Sequence, residues 1–427
     1  MTNFFLLTFG CPKNEVVSEN IALKLLEFNI QQTLKISEAD IVITNTCGFI
    51  TSALEENLQT IESLIKNKGK NQKIAVFGCI PQRFSLENLI LKYPYLKKID
   101  LWAKNFIDLQ DFIKKSQSKI EGSKLLTRLN TFSPFAYVEI AEGCSNTCTY
   151  CTIPFFKGPY KSKPIEQIIK EIASLIEYSV QEIILIAQET TFYGLDLNPK
   201  TSLTNLIKKI CEQFPQLLRI RIMYAHPNGI TDELIETIKN NPQVCPYIDI
   251  PLQHIDTKIL KSMNRFYSEE KVKQLITKLR KAIPNIAIRS TFIVGYPGES
   301  EAQFGKLKKF LKEYQIDHAG FFAFEKESGT KAARLKHQNS QQIKQKRLKE
   351  IYALQENISK QKNDGLVGKT LSILTDFNDN DFTYGRTYFQ TPEIDGYIKI
   401  KGQLEIGKYI KITITGNEYP NLLGKRV

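Results

Sequence analysis

The chain has 427 residues, 42% hydrophobic and 24% charged, room for two to four domains with cores large enough to fold unaided. No apolar run of about 18 residues occurs, which excludes a membrane-spanning helix, and Met1–Phe9 lacks the basic stretch and small-residue cleavage site of a signal peptide. The net charge of +13 suggests an acidic partner such as RNA or a ribonucleoprotein. Eight cysteines in a large chain without an export signal point to a reducing cytoplasm and to metal or catalytic use.

Residues 1–115 alternate apolar runs with helical patterns. Phe4–Phe9, Ile41–Thr44 and Lys73–Phe77 read as strands, and Ser18–Glu27 and Ser52–Lys66 carry apolar residues at helical steps. This alternation predicts an α/β domain with a mostly parallel sheet. A cysteine follows each strand, in Gly10-Cys11, Thr46-Cys47-Gly48 and Gly78-Cys79. In an open parallel sheet such strand ends share one edge, where ligands bind. Cys11, Cys47 and Cys79 are therefore expected to converge and hold a cluster with three protein ligands; three separate half-buried thiols are the blander reading.

Residues 116–132 read as a polar linker. From 132 to 335 the alternation resumes, with strands expected at Phe135–Ala141, Glu182–Ala187, Arg219–Met223, Tyr247–Ile250, Ala287–Ile293 and Ala319–Ala323. Helices such as Pro164–Tyr178, Ser202–Gln213 and Ser268–Lys281 lie between them. Six such repeats suggest a partial (β/α)6 barrel with its chemistry at the C-terminal strand ends. After the first strand comes Cys144-Ser145-Asn146-Thr147-Cys148-Thr149-Tyr150-Cys151, a C-x3-C-x2-C spacing. Three thiolates on one loop can hold three irons of a [4Fe–4S] cube and leave the fourth open. A zinc site would want a fourth ligand pair, and no C-x2-C or H-x3-H pair occurs elsewhere.

Residues 336–364 read as a polar connecting helix. Residues 365–427 change to short strands at Thr370–Leu374, Phe382–Thr387, Tyr397–Ile400 and Lys408–Thr415, the pattern of a small β-barrel. This segment holds eight basic and seven acidic residues, whereas Lys331–Lys349 holds seven basic residues and no acidic one. Such a run is as often a solvated helix face as a nucleic-acid contact.

The C-x3-C-x2-C loop resembles that of the radical S-adenosylmethionine superfamily. With the three strand-end cysteines and the C-terminal barrel, the whole chain resembles the methylthiotransferase family: an N-terminal α/β domain, a radical SAM barrel and a TRAM domain. One branch modifies adenosine in tRNA and the other an aspartate of small-subunit ribosomal protein twelve. Gly10-Cys11-Pro12-Lys13-Asn14, Asn45–Ile50, Ile186–Thr191, Asp249–His254 and Ala323–Ala333 are similar to the second. A TRAM domain gripping tRNA should be strongly basic, and this segment is nearly neutral. The family commonly has Arg after the third cysteine; here Lys157 and Lys163 stand there, keeping the charge without the bidentate fork.

The resemblance implies that Cys144, Cys148 and Cys151 ligate a radical-generating [4Fe–4S] cluster and that Cys11, Cys47 and Cys79 hold an auxiliary one carrying the sulfur. One S-adenosylmethionine methylates that sulfur; a second yields the radical that abstracts hydrogen from the aspartate β-carbon. No catalytic residue beyond the cluster ligands is expected. Tyr150, Gln188, Glu189, Arg221, Gly295, Gly298 and Arg289 are candidates for binding the cofactor. Gln253 and His254 stand near strand ends, and a lone His there is more often structural. Cys211 reads as core and Cys245 is unassigned. The partners implied are ribosomal protein twelve, free or on the subunit, an electron donor and a sulfur source. An adenosine methylthiotransferase, and an iron–sulfur RNA-binding or assembly protein supported by the basic run, are the competing readings.

Overall fold

The computed structural model describes residues 2–115 and 133–427; the stretch 116–132, expected as a linker, lies outside the described residues. They form two compact units. The first holds 2–115 with Glu142–Asn146 and Cys151–Tyr160, the second 133–141, Thr147–Tyr150 and Lys161–Val427.

The first unit contains β1 (Asn3–Thr8), α1 (Pro12–Glu27), β2 (Gln31–Gln32), β3 (Ile41–Thr46), α2 (Thr51–Lys66), β4 (Lys73–Gly78), α3 (Cys79–Arg83), α4 (Leu86–Lys92), β5 (Leu101–Trp102), α5 (Phe106–Lys115) and α6 (Ile153–Lys157). The strands form one parallel sheet in the order β2-β1-β3-β4-β5. Every residue of β3 is buried, as expected of a central parallel strand covered on both faces. Strand alternation sorts the side chains. Phe4, Ile41, Ile43, Ala75 and Phe77 meet Ile21 and Leu25 of α1 and Leu109 and Ile113 of α5. Val42, Ile74 and Val76 meet Leu54, Leu58 and Ile61 of α2 and Leu89 of α4.

The second unit contains β6 (Phe135–Glu139), β9 (Glu182–Ile186), β10 (Arg219–Ile222), β11 (Val244–Asp249), β12 (Ala287–Val294) and β13 (His318–Ala323), joined in that order into a six-stranded parallel sheet. Short strands β7 (Ala141–Glu142) and β8 (Lys161–Ser162) lie on either side of the cysteine loop in sequence. The helices are α7 (Ile165–Glu177), α8 (Leu203–Gln213), α9 (Asp232–Asn240), α10 (Thr257–Ser262), α11 (Glu269–Ala282) and α12 (Glu301–Tyr314). Ser202, Thr231, Asp256 and Ser268 cap four of them by accepting from first-turn amides, and Ser300 with Gln303 makes a full capping box on α12. The long α13 (Gln341–Asp364) buries Lys344, Arg347, Ile351, Gln355 and Ile358, one face at three- and four-residue steps. That face is largely polar. Lys344 lies 5.1 Å from the Phe324 ring, Arg347 donates to Glu299 and Gln355 to the Ile316 carbonyl.

The strands β14 (Thr370–Asp379), β15 (Phe382–Arg386), β16 (Ile398–Lys401), β17 (Tyr409–Glu418) and β18 (Asn421–Arg426) close a barrel in the order β14-β15-β16-β18-β17 around Ile373, Ile398, Ile400, Ile412, Ile414 and Leu422. It belongs to the same compact unit as the parallel sheet. Its 387–395 loop sits against residues at and near the N-terminal ends of the sheet strands. Arg219, Arg221 and His318 donate to the carbonyls of Thr387, Tyr388 and Phe389 at 3.3, 2.7 and 2.7 Å. Asp395 accepts from Tyr247 at 2.7 Å and from Arg289 at 3.3 Å.

Two expectations are corrected here. Arg221 and Arg289, expected to bind cofactor, are committed to this junction. Arg221 pairs with Glu182 at 2.7 Å and lies over the Tyr247 ring, and Arg289 pairs with Asp249 and Asp395. Arg289 is the third of eight residues in β12, and Arg221, the third of four in β10, is fully buried. Burial works to raise the Glu182 pKa, but Arg221, Arg386 and Arg219 outweigh it and hold the carboxyl at about 2.

Candidate active site

In the first unit the three strand-end cysteines lie at one edge. Cys11 is the N-cap of α1, Cys47 follows β3 and Cys79 opens α3. Two glycines make the approach. Gly10 has φ +95 and a Cβ there would stand 2.9 Å from Cys47 Sγ; Gly78 has φ +96 and a Cβ would strike Asn45 Oδ1 at 2.5 Å. Asn14 braces the group, donating to the Phe9 and Thr46 carbonyls, with its Oδ1 4.0 Å from Cys79 Sγ. Asn57 accepts from the Cys47 amide at 2.9 Å, and Arg83 donates to the carbonyls of Gly48 and Phe49. The three sulfurs feel one another's charge. Burial first, then Cys79 and Cys11, raise the Cys47 thiol to about 11, against a backbone donor at Phe49; burial also raises Cys79, against Lys157.

Among the described residues no three His, Cys, Asp or Glu side chains are gathered tightly enough to hold one metal ion. A four-iron cube takes one thiolate per iron, and the three thiols stand on three loops at one sheet edge. All three are free.

The loop of Cys144, Cys148 and Cys151 is fixed at each end. In the first unit the Cys144 amide donates to the Gly158 carbonyl, Gly143 (φ +74) packs where a Cβ would meet the Pro159 carbonyl at 2.1 Å, and Thr152 donates to the Phe49 carbonyl at 3.0 Å. In the second unit the Thr149 amide donates to the Met263 carbonyl, its hydroxyl bonds Ser262 and Tyr296, and Asn264 donates to the Thr147 carbonyl. The turn after α10 thus sets the segment carrying Cys148.

At the C-terminal end of β9 in the second unit, Gln188 keeps its Oε1 buried without a hydrogen-bond partner among the described residues. Glu189 is 3% exposed and accepts from the Thr191 amide and hydroxyl and the His226 amide. Burial outweighs those bonds and raises its pKa to about 7. Tyr150 is partly buried, packs against Ile259, Met263, Tyr296 and Phe324 and bonds Arg265.

Gly295 and Gly298 follow β12. Gly295 (φ +71) admits α13, since a Cβ would meet Lys344 Cγ at 2.4 Å; Gly298 (φ +80) has open space and is required by its backbone conformation. His254 is structural. Its Nε2 faces Glu299 at 3.2 Å and its Nδ1 accepts from the Asp256 amide. Cys211 lies on α8 beside buried Ile210, and Cys245 is buried in β11.

Family models match in three places: "Radical SAM superfamily" over residues 138–311, "Uncharacterized protein family UPF0004" over 3–99, and "TRAM domain" over 367–427. A curated relative from Clostridium botulinum strain Hall, "Ribosomal protein uS12 methylthiotransferase RimO", is 40% identical over 98% of this chain and 97% of its own. The protein of that name from Carboxydothermus hydrogenoformans is 39% identical over 99% of each chain. The chain belongs to the RimO family.

Two solved structures share the fold alone. TsrM from Kitasatospora setae, a radical S-adenosylmethionine methyltransferase, matches with a TM-score of 0.53 and 12% identity over 76% of this chain and 72% of its own. OxsB, a cobalamin-dependent S-adenosylmethionine radical enzyme, gives 0.52 and 14% over 83% and 56%.

Three groups in this RimO-family site escaped the sequence reading: His226, Arg265 and Tyr267. Burial, then Arg265 and Lys271, lower His226 to about 3. Its Nδ1 accepts from the Asn228 amide at 3.2 Å, so the neutral ring carries its proton on Nε2. Its ring meets Tyr267 edge-on at 5.6 Å. Arg265 donates to the Pro251 carbonyl at 3.2 Å, while its Nε is buried without a hydrogen-bond partner among the described residues. Both Arg265 and Tyr267 lie in the irregular stretch between α10 and α11, which carries no periodicity to flag them; His226 follows β10 and was visible only as a polar residue past a strand.

Proposed function

We propose that this chain transfers a methylthio group to the β-carbon of an aspartate in small-subunit ribosomal protein uS12. The observation that carries the reading is the pairing, in one chain of RimO type, of a three-cysteine sheet edge with a C-x3-C-x2-C loop. As a radical SAM protein it uses S-adenosylmethionine and a [4Fe–4S] cluster, held by Cys144, Cys148 and Cys151. A second cluster is held by Cys11, Cys47 and Cys79. When bound, these groups supply the radical and the sulfur.

The donor sets fit: thiolates are the ligands such clusters take, and Gln188 offers a buried, unpartnered acceptor. Gln188 would accept from a hydroxyl or ammonium of the cofactor, and Glu189, once ionised, would answer its positive charge. The neutral ring of His226 and the guanidinium of Arg265 border that position without adding a titrating proton. Turnover needs an electron donor and a sulfur source.

Intact mass of uS12 after incubation with anaerobically reconstituted enzyme tests the reaction. The expected result is one added methylthio mass together with 5′-deoxyadenosine. Cys11→Ala, Cys47→Ala and Cys79→Ala retain cofactor cleavage and lose product, whereas Cys144→Ala loses both. Loss of cleavage in a folded Cys79→Ala variant would overturn the two-cluster division. The adenosine reading is less well supported because of Pro12-Lys13 and the nearly neutral C-terminal barrel. The RNA-binding reading loses part of its basic run, since Lys344 and Arg347 turn inward.

A further inference from the structure

Two lysines on different elements flank the strand-end cysteines of the first unit. Lys13 stands in the first turn of α1, two residues beyond Cys11 and beside Asn14, whose Oδ1 lies 4.0 Å from Cys79 Sγ. Lys157 ends α6, which packs against α3, the helix that opens with Cys79. The positive charge of Lys13 reaches both Cys47 and Cys79, and that of Lys157 reaches Cys79.

The Lys157 side chain is only 14% exposed. Covering an ammonium is costly unless anions answer it. Among the described residues Lys157 pairs with Glu142 at 3.6 Å, longer than a hydrogen-bonded contact, and Glu142 is itself 59% exposed.

The proposed substrate brings an anion of its own. The β-carbon of aspartate bears the carboxylate directly, so a site that grips the carboxylate also places the carbon to be modified. We propose that Lys13 and Lys157 together bind the carboxylate of the target aspartate and so select an acidic side chain at this sheet edge. The inference rests on the reading that the substrate is an aspartate. Each lysine is a compact charge with three donors, and they stand on two separate helices beside the strand-end cysteines. The competing role is to balance the charge of ligated thiolates.

The test uses reconstituted enzyme with uS12 and with uS12 whose target Asp is changed to Asn, and measures affinity, the kcat and KM split, and iron content. The expected result is that the wild type binds the Asp form about tenfold or more tightly than the Asn form, the loss of one charge-assisted contact. Lys13→Gln and Lys157→Gln abolish that preference and raise KM with iron content unchanged, while Lys13→Arg and Lys157→Arg retain much of it. Equal binding of the two forms by an active wild type overturns the inference, as does a preference that survives both Gln changes. Loss of iron in the Gln variants also overturns it, because the lysines would then serve the cluster. Absence of any methylthiolation by the wild type instead overturns the aspartate reading itself.

Discussion

Glu189 concentrates the electrostatic demands of the site in one carboxyl. Its pKa of about 7, raised by burial, leaves it mostly neutral below that pH. A group that binds positive charge must ionise first, so S-adenosylmethionine affinity should rise as pH passes upward through 7 and flatten above it. Below 7 the expected fall approaches tenfold per pH unit. Calorimetric titration from pH 6 to 8 checks this, and Glu189→Gln should bind weakly at every pH with the slope removed. Gly295 tests a different reading of a motif residue. Its φ of +71 and its contact with Lys344 predict that Gly295→Ala costs about 1–3 kcal/mol. Adding Lys344→Ala should recover the steric part but not the backbone part; urea melts of the single and double variants separate them.

Among the elements, the parallel strands were legible because two-sided burial writes them as apolar runs, as in the fully buried β3 and β9. The boundary of α1 was not. It begins at Pro12 rather than Ser18, since its first turn faces the cysteines and carries Lys13 and Asn14 in place of apolar residues. The β18 strand was missed for a similar reason: its sequence, NLLGKR, alternates poorly, and its place is decided by pairing with β16 and β17. The junction at the strand starts gives the sharpest prediction at this scale. Arg386 is fully buried, with Asp376 at 2.6 Å and Glu182 at 3.0 Å. Arg386→Met leaves two buried carboxylates facing fewer cations, an expected loss of about 3–5 kcal/mol. The Glu182 carboxyl, held at about 2, adds stability that is present above its unfolded pKa and is lost as pH falls from about 4.5 toward 2. Acid denaturation followed by circular dichroism should show that loss shifted or absent in Glu182→Gln.

In the molecule as a whole, the C-terminal barrel is fastened to the sheet strands through the 387–395 loop, in the same compact unit. Ending the chain at residue 364 would expose Arg219, Arg221 and Tyr247, all buried now. Such a truncation is expected to melt lower or aggregate, with its remaining iron content as the second readout; an unchanged melt would mean that the loop is not a structural part of the sheet. The sequence by itself carried the strand–helix alternation, the two groups of three cysteines and the glycines before Cys11 and Cys79, because strand ends, thiol spacing and turn residues are local properties of a chain. Only the tertiary structure decided that Arg221 and Arg289 face the C-terminal loop while Arg265 and His226 border the site. An arginine near a strand end reads the same whichever end of the sheet it serves, and what distinguishes the two is the acid or carbonyl brought to it from more than a hundred residues away.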